Sequence, residues 1–380
     1  MHVSSFFRKI LDRMGKWRTL ENVCGSFHTR RCLLCYVVAP FLYGGEPNPA
    51  HQNQWQAREI TRQLDQLGFC VDVINYDNLK PYLCHQYDLV IDIHPGYDRP
   101  YLPFLKPGCK KIAYITGSNP LVANQAEQER LDDLFARRGV RLAPRRQVGP
   151  FPADVLERFD AFFLIGNSRT LATYDMFQLP PVYLLPNTAV AGINPVGSGR
   201  SAQNFLFWAS GGQVHKGLDL LLELFPRYPQ LQLFVCSSFK SERDFCALYH
   251  QELFATPNIH PEGFLDITGS RFQELAGRCA WMLLPSCAEG MSGSVTAAMS
   301  AGMVSVVSIA CGFEDDEVIL LPDCKVETIE KTVLTLASFS SEQLAGLSEK
   351  ALQLAEERYA VACFSKRINQ AFAEVLGESL

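Results

Sequence analysis

Three observations predict two doubly wound α/β domains. Short Val/Ile/Leu-rich segments of strand length alternate with segments of helical spacing along most of the chain. Between 187 and 203 that texture gives way to Asn, Gly, Pro, Ser and Ala without periodicity, and the alternation then restarts. With 380 residues, 47% of them hydrophobic, the chain can fill two cores of ordinary size. Strands that read as continuous apolar runs between helices belong to parallel sheets, whose crossover helices cover both faces.

In order, strands are expected over 31–40, 69–75, 87–93, 111–116, 161–165 and 182–185. Helices fall between them over 52–67, where Trp55, Ile60, Leu64 and Leu67 share a face, and over 125–138. After the linker come strands at 204–209, 231–236, 281–284 and 303–309, with helices at 217–225, 241–254, 271–277 and 294–301, and helices from 326 to the end. The chain divides into a leader (1–31), an N-terminal domain (32–190), a linker (191–203), a C-terminal domain (204–362) and a C-terminal helix (363–380) that packs back on the N-terminal domain.

Charge sharpens this division. The formal net charge is −5, yet seven basic residues against two acidic ones give 1–31 a charge of +5, leaving −10 on the rest. An acidic body does not suggest nucleic-acid binding, and no nucleic-acid partner is expected. Phe6, Phe7, Ile10, Leu11, Met14 and Trp17 recur at three- and four-residue steps among those cations. Residues 1–20 therefore read as an amphipathic helix for an anionic membrane surface, or as a helix capping the first domain. No secretory signal pattern is present, and the 13 cysteines are odd in number and lie mostly in apolar segments. Reduced thiols and a cytoplasmic protein, peripheral at the inner face of a membrane, are the expectation. Cys32 and Cys35, spaced C-x-x-C within a strand, should point to opposite faces and pack as core residues.

Two segments carry chemistry. Ser210-Gly211-Gly212-Gln213-Val214-His215-Lys216-Gly217 follows a strand and opens a helix, as does the run from Pro285-Ser286 through Glu289-Gly290-Met291-Ser292-Gly293-Ser294-Val295. Ligands collect at the carboxyl ends of strands in doubly wound domains, and a glycine-rich turn there lets backbone N–H groups reach an anion. Gly290 to Val295 reads as a diphosphate cradle, with Ser292 or Ser294 as N-cap, and Lys216 as the cation that neutralises a diphosphate. Glu289 beside such a site suits sugar hydroxyls. The bland alternative for each piece alone is a tight turn and a common helix start.

The run His215-Lys216-Gly217-Leu218-Asp219-Leu220-Leu221-Leu222, and the match of Pro285-Ser286, Glu289-Gly290 and Ala298 to Val304 to the pattern P-S-x-x-E-G…E-A-M-A-x-G-x-P-V-V, resemble family-4 type (group 1) glycosyltransferases of the GT-B fold. The resemblance implies two Rossmann-like domains facing a central cleft. It implies metal-independent, retaining transfer of a sugar from a nucleotide-sugar donor, a co-substrate, to a glycan or lipid-linked acceptor. No metal and no separate cofactor are expected, and no D-x-D motif occurs. Lys216 would bind the donor diphosphate and Glu289 the donor sugar, while Phe264, in the turn 258–264, would lie against the base.

Two positions depart from the family. The second Glu of its E-x7-E motif, which usually holds the ribose, is Ala297, and the basic residue usual five or six positions before the Lys is Gly211 or Ser210. A donor-degenerate, non-catalytic binding or scaffold protein is therefore the alternative. In the first half, Gly44-Gly45 reads either as the family's phosphate loop or as a turn. His94, ending a strand, either faces the cleft and contacts donor or acceptor, or bonds to a loop. Arg130, Arg137, Arg138, Arg141, Arg145 and Arg146 offer an anionic acceptor site or a solvated face. The acidic run 314–317 reads as a surface loop near the cleft.

Overall fold

The run Arg-Arg-Cys-Leu-Leu-Cys-Tyr opens the first sheet as β1 (Arg30–Tyr36). The structure, a computed structural model, describes residues 15–42, 52–152, 154–189, 193 and 199–378. Gly44, Gly45, the leader up to residue 14 and most of the 191–203 linker lie outside the described residues.

The first sheet continues with β2 (Phe69–Asn75), β3 (Tyr87–Asp92), β4 (Leu105–Ile115), β5 (Ala161–Ile165) and β6 (Val182–Leu185), all parallel, in the order β2-β1-β3-β4-β5-β6. Between them run α1 (Gln52–Gln66), α2 (Pro120–Arg138) and α3 (Ser168–Ala172). Cys32 packs with Leu34 and Tyr36 on one face of β1, and Cys35 with Leu33, Ile74 and Val90 on the other, as an offset of three dictates. The exposed edge that β2 would present is covered by residues 20–23, whose Leu20 exchanges backbone bonds of 2.8 and 2.9 Å with Val73.

The second sheet holds β7 (Ser201–Trp208), β8 (Gln232–Cys236), β9 (Ile259–His260), β10 (Cys279–Leu284), β11 (Val304–Ser308) and β12 (Ile319–Leu321), again parallel, in the order β12-β11-β10-β7-β8-β9. Its helices are α4 (Leu218–Leu224), α5 (Arg243–Leu248), α6 (His250–Ala255), α7 (Ser270–Arg278), α8 (Gly293–Ser300), α9 (Val326–Leu336), α10 (Ser341–Tyr359) and α11 (Val361–Leu376). The strand order reverses between β1 and β3 in the first sheet and between β7 and β10 in the second, which fixes where each can hold a ligand.

Several expected boundaries differ, β4 opening at Leu105 and β7 at Ser201 among them. Pro40 sits in a single 3-10 turn (Ala39–Phe41) beyond β1, since proline has no N–H for a ladder. Helix α2 starts at Pro120, five residues earlier than its apolar spacing indicates, because Asn119 caps it by accepting from Leu121 N at 2.9 Å. The helix expected over 241–254 is broken at Tyr249 (φ −105°, ψ 27°), whose fully buried ring lies 4.9 Å from Phe245.

The chain ends on the domain where it began. Helix α11 packs on α1 and β6, with Trp55 5.6 Å from Phe364, Phe163 5.5 Å from Phe372, and Asn369 Nδ2 donating to Gln63 Oε1 at 2.6 Å. Among the described residues, no helix is long and apolar enough to cross a membrane.

Candidate functional site

The carboxyl ends of β1, β3 and β4 face those of β7 and β10 across a cleft of about 860 Å³. Its lining joins both strand-order reversals: Tyr36, Val37, Ile93 and His94 from the first sheet, and Trp208, Ser210, Lys216 and Glu289 from the second. This is where a doubly wound pair is expected to bind.

Lys216 and Glu289, 73 residues apart, form an ion pair between the Lys Nζ and Glu Oε1. Two backbone devices bring them together. Gly217 adopts φ +80°, and a Cβ there would stand 2.5 Å from Pro285 O, so only glycine lets the β7 turn press against the β10 turn. Cys287 N then donates to His215 O at 2.9 Å, and the ring Nε2 of His215 bonds Ala288 O at 2.7 Å. Burial raises the Glu289 carboxyl, but Lys216 beside it and the Ser286 hydroxyl (2.7 Å) outweigh it and hold the pKa below the ordinary carboxylate range. Glu289 is therefore a carboxylate at neutral pH. His215 is pushed the other way, chiefly by burial, and stays neutral. Its Nδ1 has no hydrogen-bond partner among the described residues, with Glu127 Oε1 3.9 Å away.

The expected diphosphate cradle divides in two. Ser292, Gly293 and Ser294 line the cleft at the start of α8, and Ser292 takes the N-cap position, although its hydroxyl bonds that of Ser294 (3.1 Å) rather than the helix. Gly290, Met291 and Val295 do not line it. Gly290 is pressed on the first domain, where Thr170 Oγ1 donates to its carbonyl at 2.9 Å and Ser118 N donates to Glu289 O at 3.2 Å. Met291 O accepts from Asn187 Nδ2 at 2.7 Å, and Val295 is fully buried in the core. The glycine turn before Lys216 has no free amides at Gly212 and Gln213 either, since Glu242 accepts from both.

His94 and Phe264 line the cleft. His94 rests edge-on against Tyr76 (4.8 Å), its backbone N held by the buried Asp92 carboxylate, which Arg99 and Tyr101 also engage. Phe264 is 57% exposed, an uncovered ring at the rim. Ala297 lines the floor, four residues after Gly293 on the same face of α8.

The arginine cluster is not a free surface. Arg137 pairs with Asp219 and Glu223, Arg138 with Glu223 and Glu252, and Arg145 with Asp244, so these three fasten the first domain to the second. Buried Arg130 donates to Pro285 O, and Arg141 pairs with Asp132. Arg146 alone of the six lines the cleft. The acidic run is likewise engaged: Glu314 and Asp315 meet Arg169, and Asp316 and Glu317 meet Arg358.

Several cleft residues carry no sequence signal. Gln52 opens α1 and reaches across to donate to Thr188 O, Gly293 O (3.1 Å) and Thr296 Oγ1 (3.1 Å). Gln56 donates to Asn187 at 3.0 Å and accepts from Tyr36 and Tyr114, each at 3.2 Å. Their partners across the cleft, Thr188, Gly293 and Thr296 for Gln52 and Asn187 for Gln56, lie more than a hundred residues away. Among the described residues the one trio spaced for a metal ion is Glu21, Cys84 and His85, with ligand atoms within 4.8 Å of one another, and none of the three lines the cleft.

Neither a family model nor a curated protein matches the sequence. Solved structures do. Sucrose-phosphate synthase from Thermosynechococcus elongatus is similar with a TM-score of 0.65 at 12% identity, over 92% of this chain and 100% of that one. HepE from Anabaena, in complex with UDP and glucose, gives 0.59 at 12% identity over 91% and 100%. The pneumococcal O-GlcNAc transferase GtfA, in complex with UDP and GlcNAc, gives 0.52 at 13% over 77% of this chain and 58% of that one. Identities this low speak to architecture alone, and with the two facing parallel sheets they establish that this chain has the GT-B fold.

Proposed function

We propose that the protein is a glycosyltransferase that moves a sugar from a nucleotide-sugar donor to a glycan or lipid-linked acceptor, with retention and without a metal ion. The observation that carries this reading is the Lys216–Glu289 ion pair at the point where β7 and β10 part, inside the interdomain cleft. A cation and a carboxylate held side by side suit the two halves of such a donor, an anionic diphosphate and a sugar rich in hydroxyls. Two of the similar structures hold UDP with a sugar.

On this reading Lys216 exchanges Glu289 for the diphosphate and stabilises the charge that builds on it as the glycosidic bond breaks. Glu289 accepts from sugar hydroxyls and orients the anomeric carbon. An oxygen of the leaving diphosphate takes the proton of the acceptor hydroxyl, so no protein base is needed. Phe264 stacks on the base, and the N-terminal amides of α8 approach the phosphate once Gln52 withdraws from Gly293. The acceptor enters over His94. Cytoplasmic action with residues 1–20 on an anionic membrane surface completes the reading.

Calorimetric titration with UDP-, GDP- and ADP-sugars tests it: one donor class should bind and turn over. Lys216→Ala and Glu289→Ala should each lower turnover at least about 100-fold. Binding of none of these donors would overturn the reading. Gln52 over Gly293, together with Ala297, favours a second reading, a binding protein without turnover; an unreactive but bound donor would establish that one instead.

A further inference from the structure

Charge in the cleft does not balance. Among the lining residues the ionised side chains are Lys216, Glu289 and Arg146. Lys216 and Glu289 neutralise one another, which leaves the Arg146 guanidinium as the uncompensated charge. The carboxylates that hold its backbone and the facing glycine turn, Glu127 and Glu242, are already engaged. Glu127 accepts from the backbone N of Arg145 and of Arg146, each at 2.9 Å, and from Gln147 Nε2. Glu242 accepts from Gly212 N, Gln213 N and Gln213 Nε2. Among the described residues the guanidinium has no ion-pair or hydrogen-bond partner.

The position of that side chain is built. Residues 145–148 form a strap from the first domain, tied to α2 through Glu127 and through Asn124, which accepts from Val148 N at 2.9 Å, and tied to the second domain by Arg145–Asp244. The strap lies against the glycine turn of the other domain. Gly212 stands at φ +84°, and a Cβ there would fall 2.6 Å from Arg146 Cγ and 2.9 Å from Cδ. Glycine at 212 is what lets the arginine stem pass. One basic residue was expected on the second-domain turn, five or six residues before Lys216, and Gly211 or Ser210 stands there instead. Arg146 brings a cation to that same turn from the opposite domain.

We infer that Arg146 is the second cation of the donor site, binding a nucleoside diphosphate across the cleft from Lys216. The inference rests on the transferase reading above and adds a residue and a consequence to it: diphosphate affinity depends on the two domains being closed, because its two cations belong to different domains. A guanidinium suits the role, presenting paired N–H donors to phosphate oxygens.

The test titrates the full chain with UDP, GDP and ADP, and with the nucleoside of whichever binds. Arg146→Ala should weaken diphosphate binding about 10-fold or more, leave nucleoside binding within about 2-fold, and flatten the salt dependence. Arg146→Lys should recover part of the loss. An unchanged melting temperature and nucleoside affinity show that Arg146→Ala is folded; the exposed Arg146→Gln serves if it is not. Diphosphate binding equal to wild type in Arg146→Ala, with binding lost in Lys216→Ala, overturns this inference and leaves the transferase reading standing. Binding of no diphosphate by the wild-type chain overturns both.

Discussion

Gly290→Ala probes the contact that holds the cleft shut. A Cβ at 290 would lie 2.5 Å from Thr116 O, and 2.9 Å from both Thr116 C and Gly117 Cα, all backbone atoms of the other domain. Nothing flexible can yield there, so restoring van der Waals contact separates the two loops by roughly 1 Å. The backbone of Gly290 is not left-handed, so the cost is steric alone. Overpacking costs about 1–3 kcal/mol. The bonds from Ser118 N to Glu289 O and from Thr170 Oγ1 to Gly290 O stretch with it, at about 1 kcal/mol each. A loss of about 3–5 kcal/mol in interdomain stability is expected, read as an earlier urea transition in tryptophan fluorescence and a larger radius of gyration in solution scattering. The facing Gly117→Ala is the control, because a Cβ there meets nothing within 4 Å. Equal behaviour of the two variants would refute the reasoning.

Four further outcomes follow from the same contacts. His215 has a lowered folded pKa, so below about pH 6.5 the unfolded chain takes up a proton that the native chain refuses, and stability falls with acidification; His215→Gln should flatten that slope in a pH series of denaturant melts. Asp219 behaves oppositely: burial pushes its folded pKa up to about 6 despite Arg130 and Arg137, so it costs stability as pH rises through 6, and Asp219→Asn should gain roughly 1 kcal/mol on wild type between pH 5 and 7. Ala297→Glu places a carboxylate on the cleft floor and should tighten a nucleoside diphosphate about 5-fold or more over its 2′,3′-dideoxy analogue, with no gain counting against the donor orientation. Because Arg145–Asp244, Arg169–Asp315 and their neighbours are half-exposed pairs spanning the domains, 1 M salt should expand the radius of gyration, and Gly290→Ala should amplify that expansion.

The fold was legible because strand composition is a local signal. The segments 69–75, 161–165 and 182–185 match β2, β5 and β6 residue for residue. The short strands β9 and β12 escaped, having two and three residues and no alternation of their own. Lys216 and Glu289 were legible because each sits on a glycine-marked turn after a strand. Gln52, Gln56 and Asn187 were not, since a polar residue on an amphipathic helix or in a loop looks solvated until the opposite domain is in place. The arginine cluster misled for the same reason: its partners Asp219, Glu223, Asp244 and Glu252 lie 82 or more residues away.

That long-range pairing bears on why the two departures from the family pattern need not weaken the site equally. A missing cation can be replaced from anywhere the closed cleft brings a guanidinium, because a point charge acts over several ångströms and needs no fixed backbone origin. Arg146 satisfies that condition through Gly212. A missing carboxylate on α8 is harder to replace, because a ribose diol needs an acceptor within about 3 Å in a set direction. Apart from Glu289, which Lys216 holds, the lining offers amides and hydroxyls for it: Gln52, Asn53, Gln56 and Asn187 beside Ser292 and Ser294. Neutral acceptors make weaker bonds than a carboxylate. The phosphate half of a donor should therefore dominate its affinity, and a free nucleoside should bind poorly compared with its diphosphate.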